Sequence, residues 1–270
     1  HEEITAVLGK AEAERFSRYY AIDPSGNVSH DPHGEFTHKN ILYLKNEIDP
    51  QDAPAINASK KKLFDARAKR TVPHLDDKVL TDWNGLMIAA LSFAGSVLGN
   101  TRYTEAARSA ADFILSKLKD SNGLLHVWAK EEVSIEGMLE DYAFFSFGLI
   151  HLYEATLDPK YLTEAVFLAG RMDALFSDQE QGGFFMTAAN AKGLILRPID
   201  IYDGALPSGN SVAGFVLLKL YYMTKDGQYK AKAKALFERF MPSVSQAPHA
   251  YAFFLLGVDL YLNPAVEIAI

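Results

Sequence analysis

The sequence predicts an all-α fold, an (α/α) toroid of repeated helix hairpins of the six-hairpin barrel type. The first observation is an internal repeat: Tyr103, Tyr161 and Tyr229 each lie 20 residues after the start of an apolar segment. The second is that two kinds of helix alternate in each repeat, one uncharged over a long stretch and one amphipathic. Stacked hairpins with one buried and one outer helix build a solenoid or a closed double ring.

The repeats follow a less regular N-terminal segment, residues 1–50. Residues 1–20 predict one or two helices, "ILYLK" predicts a short strand, and residues from about 53 to 70 predict an amphipathic helix. A partial fourth repeat begins near His249. We therefore expect about nine helices in one toroid domain over residues 1–270, as a fragment of a longer protein. Tight turns are expected inside the hairpins at Gly99-Asn100, Asp158-Pro159 and Asp226-Gly227.

Composition narrows the classes of partner. The 270 residues carry a formal net charge of −7, which argues against nucleic acid and anionic membranes. No apolar run approaches the roughly 18 residues of a membrane span. The absence of cysteine excludes disulfides and thiolate metal sites. Since the sequence also has no phosphate loop or dinucleotide fingerprint, we expect no metal and no cofactor.

Two long connectors join the hairpins, residues 120–138 and 178–207. Both contain glycine turns flanked by β-prone runs, which predicts a small β-hairpin in each. Both lead into the N-terminus of an uncharged helix, so they lie on one face of the assembly. If the buried helices run in the same direction, their free N–H groups and positive dipole ends point into a common mouth.

Polar and aromatic residues cluster where these loops meet the buried helices. Aromatic rings stack on the C–H faces of sugars, and carboxylates accept hydrogen bonds from hydroxyl groups or move protons, so the cluster predicts a small saccharide as ligand. The candidate catalytic residues are His74, Asp77, Glu140, Asp141, Asp203 and His249. The candidate substrate-binding residues are Trp83, Asn84, Tyr142, Arg197, Tyr202, Ser208 and Asn210.

A structural interpretation competes with this one. Glu140 and Ser208 stand where a helix begins, and such residues commonly cap helices without further function. Tyr142 fits core packing as well as stacking. His126 lies in the first connector and receives no role.

The reaction type stays open between two chemistries. A glycosidase needs two carboxylates flanking the scissile bond. A 2-epimerase or aldose–ketose isomerase needs an acid/base group beside a carbon next to a carbonyl, a role that suits histidine. A third alternative is a non-catalytic scaffold.

Four segments resemble a known family: "KLFDARAKRTVPHLDDKVLTDWNGLMIAAL", "LEDYAFF", "GGFFMT" and "YDGALPSGNSVA". They are similar to the C-terminal helical region of the thioredoxin-domain-containing proteins that include the bacterial YyaL-like and the animal spermatogenesis-associated relatives. The resemblance runs along essentially the whole chain. Asp82 departs from it, since the family usually has a small or neutral residue there.

The resemblance implies an (α/α)6 barrel similar to those of N-acylglucosamine and cellobiose 2-epimerases. A full ring has twelve helices, so this chain would hold an incomplete ring. It also implies a thioredoxin-like domain of the same full-length protein as a partner. We expect a cytoplasmic location.

Overall fold

The computed structural model describes residues 1–130 and 132–263. The chain divides into two compact units, His1–Asp76 and Asp77–Ile270. The single toroid domain over residues 1–270 stays a prediction. In the described part of the chain, no helix is both long and apolar enough to cross a membrane.

The first unit contains three helices: α1 (Glu2–Leu8), α2 (Lys10–Tyr19) and α3 (Ala53–Arg67). Phe16 on α2 and Ile56 on α3 belong to its small apolar core. The strand expected at "ILYLK" is wrong, because only an isolated bridge between Tyr20 and Leu44 forms there.

The second unit repeats one hairpin three times and adds a last helix. A 3-10 turn (Pro248–Ala250) precedes that helix. The inner helices pack in chain order: α4 on α6, α6 on α8, and α8 on α10. The hairpins are α4 (Thr81–Leu98) with α5 (Thr101–Lys117), α6 (Leu139–Thr156) with α7 (Pro159–Phe176), and α8 (Gly209–Thr224) with α9 (Gly227–Gln246), followed by α10 (Ala252–Leu262). The described residues thus form ten α-helices, one more than the sequence predicts.

The predicted tight turns share one geometry. In the first, Gly99 takes a left-handed conformation with φ of 62°, and the Asn100 side chain then accepts a hydrogen bond from the Arg102 N–H. Leu157 and Lys225 take the same left-handed conformation before the aspartates that cap α7 and α9. Ending one helix and capping the next within two residues forces the chain to reverse, which produces antiparallel hairpins.

The connectors differ from each other. The first forms the expected β-hairpin, β2 (Leu125–Ala129) and β3 (Glu132–Glu136), and β1 (Val79–Leu80) joins its β2 edge antiparallel. The β-hairpin expected in residues 178–207 is wrong in the described structure. Much of its backbone instead bonds to other segments: the Phe185 N–H donates to the Phe176 carbonyl, and the Asp203 N–H donates to the Ala250 carbonyl.

Candidate functional site

The mouth of the inner helices holds a compact group of ionisable side chains. Asp82 stands in the first turn of α4, Glu140 and Asp141 in the first turn of α6, and His126 in β2. Ligand-type atoms of Asp82, His126 and Asp141 all lie within 4.8 Å of one another. We call Asp82, His126, Glu140 and Asp141 the acid/base cluster.

Asp141 is the fixed centre of this cluster. Its side chain is fully buried, and one oxygen accepts from the Asp82 N–H at 3.1 Å while the other accepts from the Met138 N–H at 2.8 Å. His126 Nδ1 lies 3.0 and 3.1 Å from the two carboxylate oxygens. This hydrogen bond to Asp141 raises the pKa of His126, against the opposing effect of burial.

Burial raises the pKa of two other carboxyl groups. The pKa of Asp82 rises because the group is buried and because Asp141 repels its charge. The pKa of Glu140 rises to about 7, first through burial and then through the charges of Asp141, Asp82 and Asp200. The carboxyl group of Glu140 lies against the start of α8, because a Cβ atom built on Gly209 would stand 3.1 Å from Glu140 Oε1.

A carboxyl group with a pKa near 7 can both give and take a proton at neutral pH, as general acid–base catalysis requires. The same side chains also offer the ligand set of a divalent cation. However, both oxygens of Asp141 already accept backbone hydrogen bonds, and His126 Nδ1 is held against them. The arrangement therefore favours proton transfer.

Three of the predicted catalytic residues are exposed. His74 belongs to the first unit. Asp77 lies in the loop before β1, and His249 lies in the 3-10 turn before α10. Of the six predicted catalytic residues, the structure brings together Glu140 and Asp141.

Asp203, for which the sequence predicts a catalytic role, has both carboxylate oxygens engaged in capping a helix. One oxygen accepts from the Ser208 N–H at 2.9 Å, and the other accepts from the N–H groups of Phe253 and Phe254 at 2.8 and 2.9 Å. These bonds tie residues 203–208 to the N-terminus of α10. The carboxylate supports the loop and leaves little capacity for a ligand.

We expect Asp203→Ala to lower the free energy of unfolding by about 2 kcal/mol, because three N–H groups lose their acceptor. Asp203→Asn keeps one acceptor oxygen and should lose less. Urea denaturation of the two variants and the parent measures the order. A catalytic Asp203 would predict three equally stable proteins.

Ser208 and Asn210 are also structural. Ser208 Oγ accepts from the Ser211 N–H at 3.0 Å and so caps α8. Asn210 is fully buried and bonds to the N–H and carbonyl of Phe184 and to the carbonyl of Asp200. Their predicted contact with substrate does not fit this burial, because their polar atoms are already bonded within the protein.

Tyr142 and Arg197 are likewise engaged. Tyr142 is 2% exposed, and its hydroxyl accepts from the Leu124 N–H at 2.8 Å, which anchors the start of the segment that carries His126. Arg197 donates to the carbonyls of Thr187 and Leu175, and its guanidinium lies 4.1 Å from the centre of the Phe185 ring. Tyr142 therefore offers no open face for stacking, and Arg197 already directs its Nε and Nη2 donors to backbone carbonyls.

Three predicted binding residues keep exposed or half-exposed side chains. Trp83 is 58% exposed at the start of α4, directly after Asp82. Tyr202 is also 58% exposed, whereas Asn84 is half-buried and donates to the Leu80 carbonyl at 2.8 Å. Trp83 is the candidate stacking surface nearest in sequence to the acid/base cluster.

The candidate residues predicted from sequence omitted Asp82 and His126. His126 has a usable signal, because it alternates with the apolar Leu125 and Val127 in a run of β-prone residues. Asp82 has the appearance of an N-cap residue. Its role depends on the approach of α4 to α6, which no local pattern reveals.

Comparison with known proteins identifies the family. No family model matches the chain. It is 34% identical to human spermatogenesis-associated protein 20 over 271 residues, covering 90% of this chain and 34% of that protein. The rat protein of the same name is 34% identical over 256 residues, covering 86% and 32%. The chain is therefore a homologue of part of spermatogenesis-associated protein 20 and spans about a third of the length of these relatives.

Solved structures confirm the toroid prediction. An α-mannanase of glycoside hydrolase family 76 from Bacteroides thetaiotaomicron matches with a TM-score of 0.56 and 19% identity, covering 79% of this chain and 64% of that chain. Cellobiose 2-epimerase from Spirochaeta thermophila matches with a TM-score of 0.56 and 16% identity, covering 70% and 56%. At such identities the likeness shows a shared fold, one used by carbohydrate-active enzymes.

Proposed function

We propose that this homologue of spermatogenesis-associated protein 20 binds a small saccharide and transfers protons to and from it. The observation that carries the proposal is the carboxyl group of Glu140, which has a pKa of about 7 and belongs to the same cluster as the hydrogen-bonded pair of His126 and Asp141. Ordinary helix capping requires an ionised carboxylate and gives no reason for a pKa near neutrality.

The reaction we favour is epimerisation or isomerisation of a sugar. Ionised Glu140 would take the proton from the carbon next to the carbonyl group. His126 in its protonated form, which its raised pKa favours, would donate a hydrogen bond from Nε2 to the carbonyl oxygen while Nδ1–H donates to Asp141. Protonation of the opposite face of that carbon by a water molecule gives the epimer, and transfer of the proton from Glu140 to the former carbonyl carbon gives the isomer. Trp83 would stack on the sugar ring.

A glycoside hydrolase is the second candidate. Protonated Glu140 would supply the proton to the leaving oxygen, and Asp82 would act as the second carboxylate. The mannanase among the structural neighbours supports this candidate, and the epimerase supports the first. The two reactions differ in their products, so one experiment separates them.

The experiment incubates the protein with mono- and disaccharides in heavy water and follows them by NMR. An epimerase or isomerase exchanges the proton next to the carbonyl for deuterium and forms an epimer or ketose, whereas a hydrolase releases new reducing ends. We expect Glu140→Gln to abolish turnover. Glu238→Gln removes the same charge from the outer face of α9, where Glu238 pairs with Lys234, and should leave turnover unchanged.

A non-catalytic scaffold is the outcome if no sugar binds or reacts. The capping bonds of Asp141 and Asp203 are what a scaffold would also contain. A scaffold would have no use for the raised pKa of Glu140.

Because the chain spans about a third of the length of its relatives, the activity of the whole protein, its thioredoxin-like domain and its cytoplasmic location are proposals. Repeating the incubation with the full-length protein tests whether the remaining two thirds are needed for turnover.

A further inference from the structure

Residues 41–44, with the sequence "ILYL", form an extended apolar segment in the first unit. All four side chains are between 45% and 58% exposed. Isoleucine and tyrosine favour strands, yet the fold gives this segment only the isolated bridge between Tyr20 and Leu44. Contiguous exposed apolar residues of this kind mark interaction surfaces. The segment therefore has the composition of a strand without the strand neighbours that would cover it.

One edge of this segment is paired with the rest of the first unit. The Ile41 N–H donates to Oδ1 of Asn27 at 2.9 Å, and the Ile41 carbonyl accepts from Nδ2 of the same side chain at 2.9 Å. The Tyr43 carbonyl accepts from the Ala21 N–H at 3.0 Å. The odd-numbered residues of the segment thus direct their backbone groups toward the protein.

The other edge of the segment is open. Because successive residues of an extended chain direct their backbone groups to opposite sides, those of Leu42 and Leu44 point away from Asn27 and Ala21. In the part of the chain that the structure describes, the N–H and carbonyl groups of these two leucines have no hydrogen-bond partner. An exposed strand edge of this kind is a template for pairing with another strand through main-chain hydrogen bonds.

We infer that this edge binds the same edge of a second copy of the chain, in an antiparallel pair with Leu42 opposite Leu44 of the second copy. All the open N–H and carbonyl groups of these two leucines then gain partners, because residues that face each other in this way exchange both hydrogen bonds. Tyr43 stands on the twofold axis opposite Tyr43 of the second copy, where a cross-strand aromatic pair adds to the stability of the sheet. The segment becomes a regular strand in this dimer.

The charges that flank the segment select this register. Lys39 precedes it, Lys45 and Glu47 follow it, and all three side chains are exposed. With Leu42 opposite Leu44, Lys39 comes within reach of Glu47 of the second copy, and the twofold symmetry forms this pair twice. A shifted register with Leu42 opposite itself sets Lys39 against Lys45 of the second copy instead. Opposite charges across neighbouring strands stabilise a sheet, and like charges destabilise it.

Analytical ultracentrifugation over a wide range of protein concentrations tests the inference. The contact is small, so we expect a monomer–dimer equilibrium with a dissociation constant in the micromolar range or weaker. Glu47→Lys should raise that constant at least about tenfold, because it places like charges opposite each other in both halves of the interface. Adding Lys39→Glu to Glu47→Lys should restore dimerisation. Glu14→Lys, which makes the same charge change at an exposed position of α2, should leave it unchanged.

A cysteine cross-link tests the register. The chain has no cysteine, so Tyr43→Cys introduces a single thiol. The thiol lies at a non-hydrogen-bonded position opposite its own copy, where the two Cα atoms stand about 4.5 Å apart, within the range of a disulfide. We expect mild oxidation to convert Tyr43→Cys into a disulfide-linked dimer, detected by non-reducing electrophoresis. Lys60→Cys, at an exposed position of α3, should remain monomeric under the same conditions.

A chain that stays monomeric at every concentration would overturn the inference, and the flanking lysines would then serve to keep the edge unpaired. Equal dimerisation of Glu47→Lys and Glu14→Lys would also overturn it, because the contact would then lie on another surface. Faster cross-linking of Leu42→Cys than of Tyr43→Cys would show that the register is wrong. Circular dichroism of each variant shows whether its monomer is still folded.

Discussion

Replacing Gly85 by alanine is expected to lower the free energy of unfolding by about 3 kcal/mol or more, because the new methyl group meets backbone and cannot be accommodated by a side-chain movement. A Cβ on Gly85 would lie 2.4 Å from the carbonyl carbon and 2.5 Å from the oxygen of Phe144. Gly148 makes the reciprocal approach, since its Cβ would lie 2.5 Å from the oxygen of Gly85. Helices α4 and α6 thus touch through their backbones at this point.

The same contact positions the acid/base cluster. Gly85 follows Asp82 by less than one helical turn, and the Asp82 N–H donates to Asp141 across the two helices. Separating α4 from α6 lengthens that hydrogen bond and weakens the effect of Asp141 on Asp82. The variant should therefore also show a lower pKa for Asp82, measurable by NMR titration.

Gly170→Ala is the matched control. Gly170 lies in α7, and a Cβ built on it has nothing within 4 Å. There the better helix propensity of alanine should stabilise the protein by about 1 kcal/mol. Thermal and urea denaturation of the two variants should move in opposite directions. If Gly85→Ala is as stable as Gly170→Ala, the close crossing of α4 and α6 is wrong.

The periodicity of the sequence was sufficient for the hairpins. Uncharged and amphipathic segments alternate, and the turns carry glycine or a capping side chain such as Asn100, so each hairpin is encoded locally. The conformation of the connector at residues 178–207 is not encoded locally in the same way, because some of its hydrogen bonds go to distant segments, such as those that join Met186 to Leu139 and Asp203 to Ala250. Asn210, which joins Phe184 to Asp200, has no local pattern that announces this role.

The sequence predicts only part of the candidate site, because other parts of it also depend on long-range contacts. Residue type and position selected Glu140 and Asp141, which the structure places together in the first turn of α6. They could not separate Asp141, which holds His126, from Asp203, which holds α10, because an aspartate near the start of a helix is compatible with either role. His126 joins the cluster only through the pairing of β1 with β2. Both distinctions depend on contacts between segments far apart in the chain.

Glu140→Gln is expected to stabilise the protein by about 3 kcal/mol above neutral pH and by little at acidic pH. The pKa of Glu140 rises from an ordinary 4.5 to about 7 in the folded protein, a difference of about 2.5 that corresponds to about 3 kcal/mol. Because the folded state holds this proton more tightly than the unfolded state, the stabilising contribution is present below pH 4.5. It is lost as the pH rises to about 7. Glutamine stays neutral throughout and avoids this loss.

Urea denaturation of both proteins across this pH range measures the difference, and Glu238→Gln should show no comparable rise, since Glu238 is two-thirds exposed on α9. Parallel curves for Glu140→Gln and the parent would mean that Glu140 ionises freely in the fold.

The expected result has a consequence for function. A glutamate whose ionised form lowers stability at neutral pH gives no benefit to a non-catalytic scaffold, because glutamine at the same position would make the scaffold more stable. If Glu140→Gln is more stable than the parent but no longer exchanges sugar protons, the same carboxyl group both lowers the stability of the parent protein and carries out proton transfer.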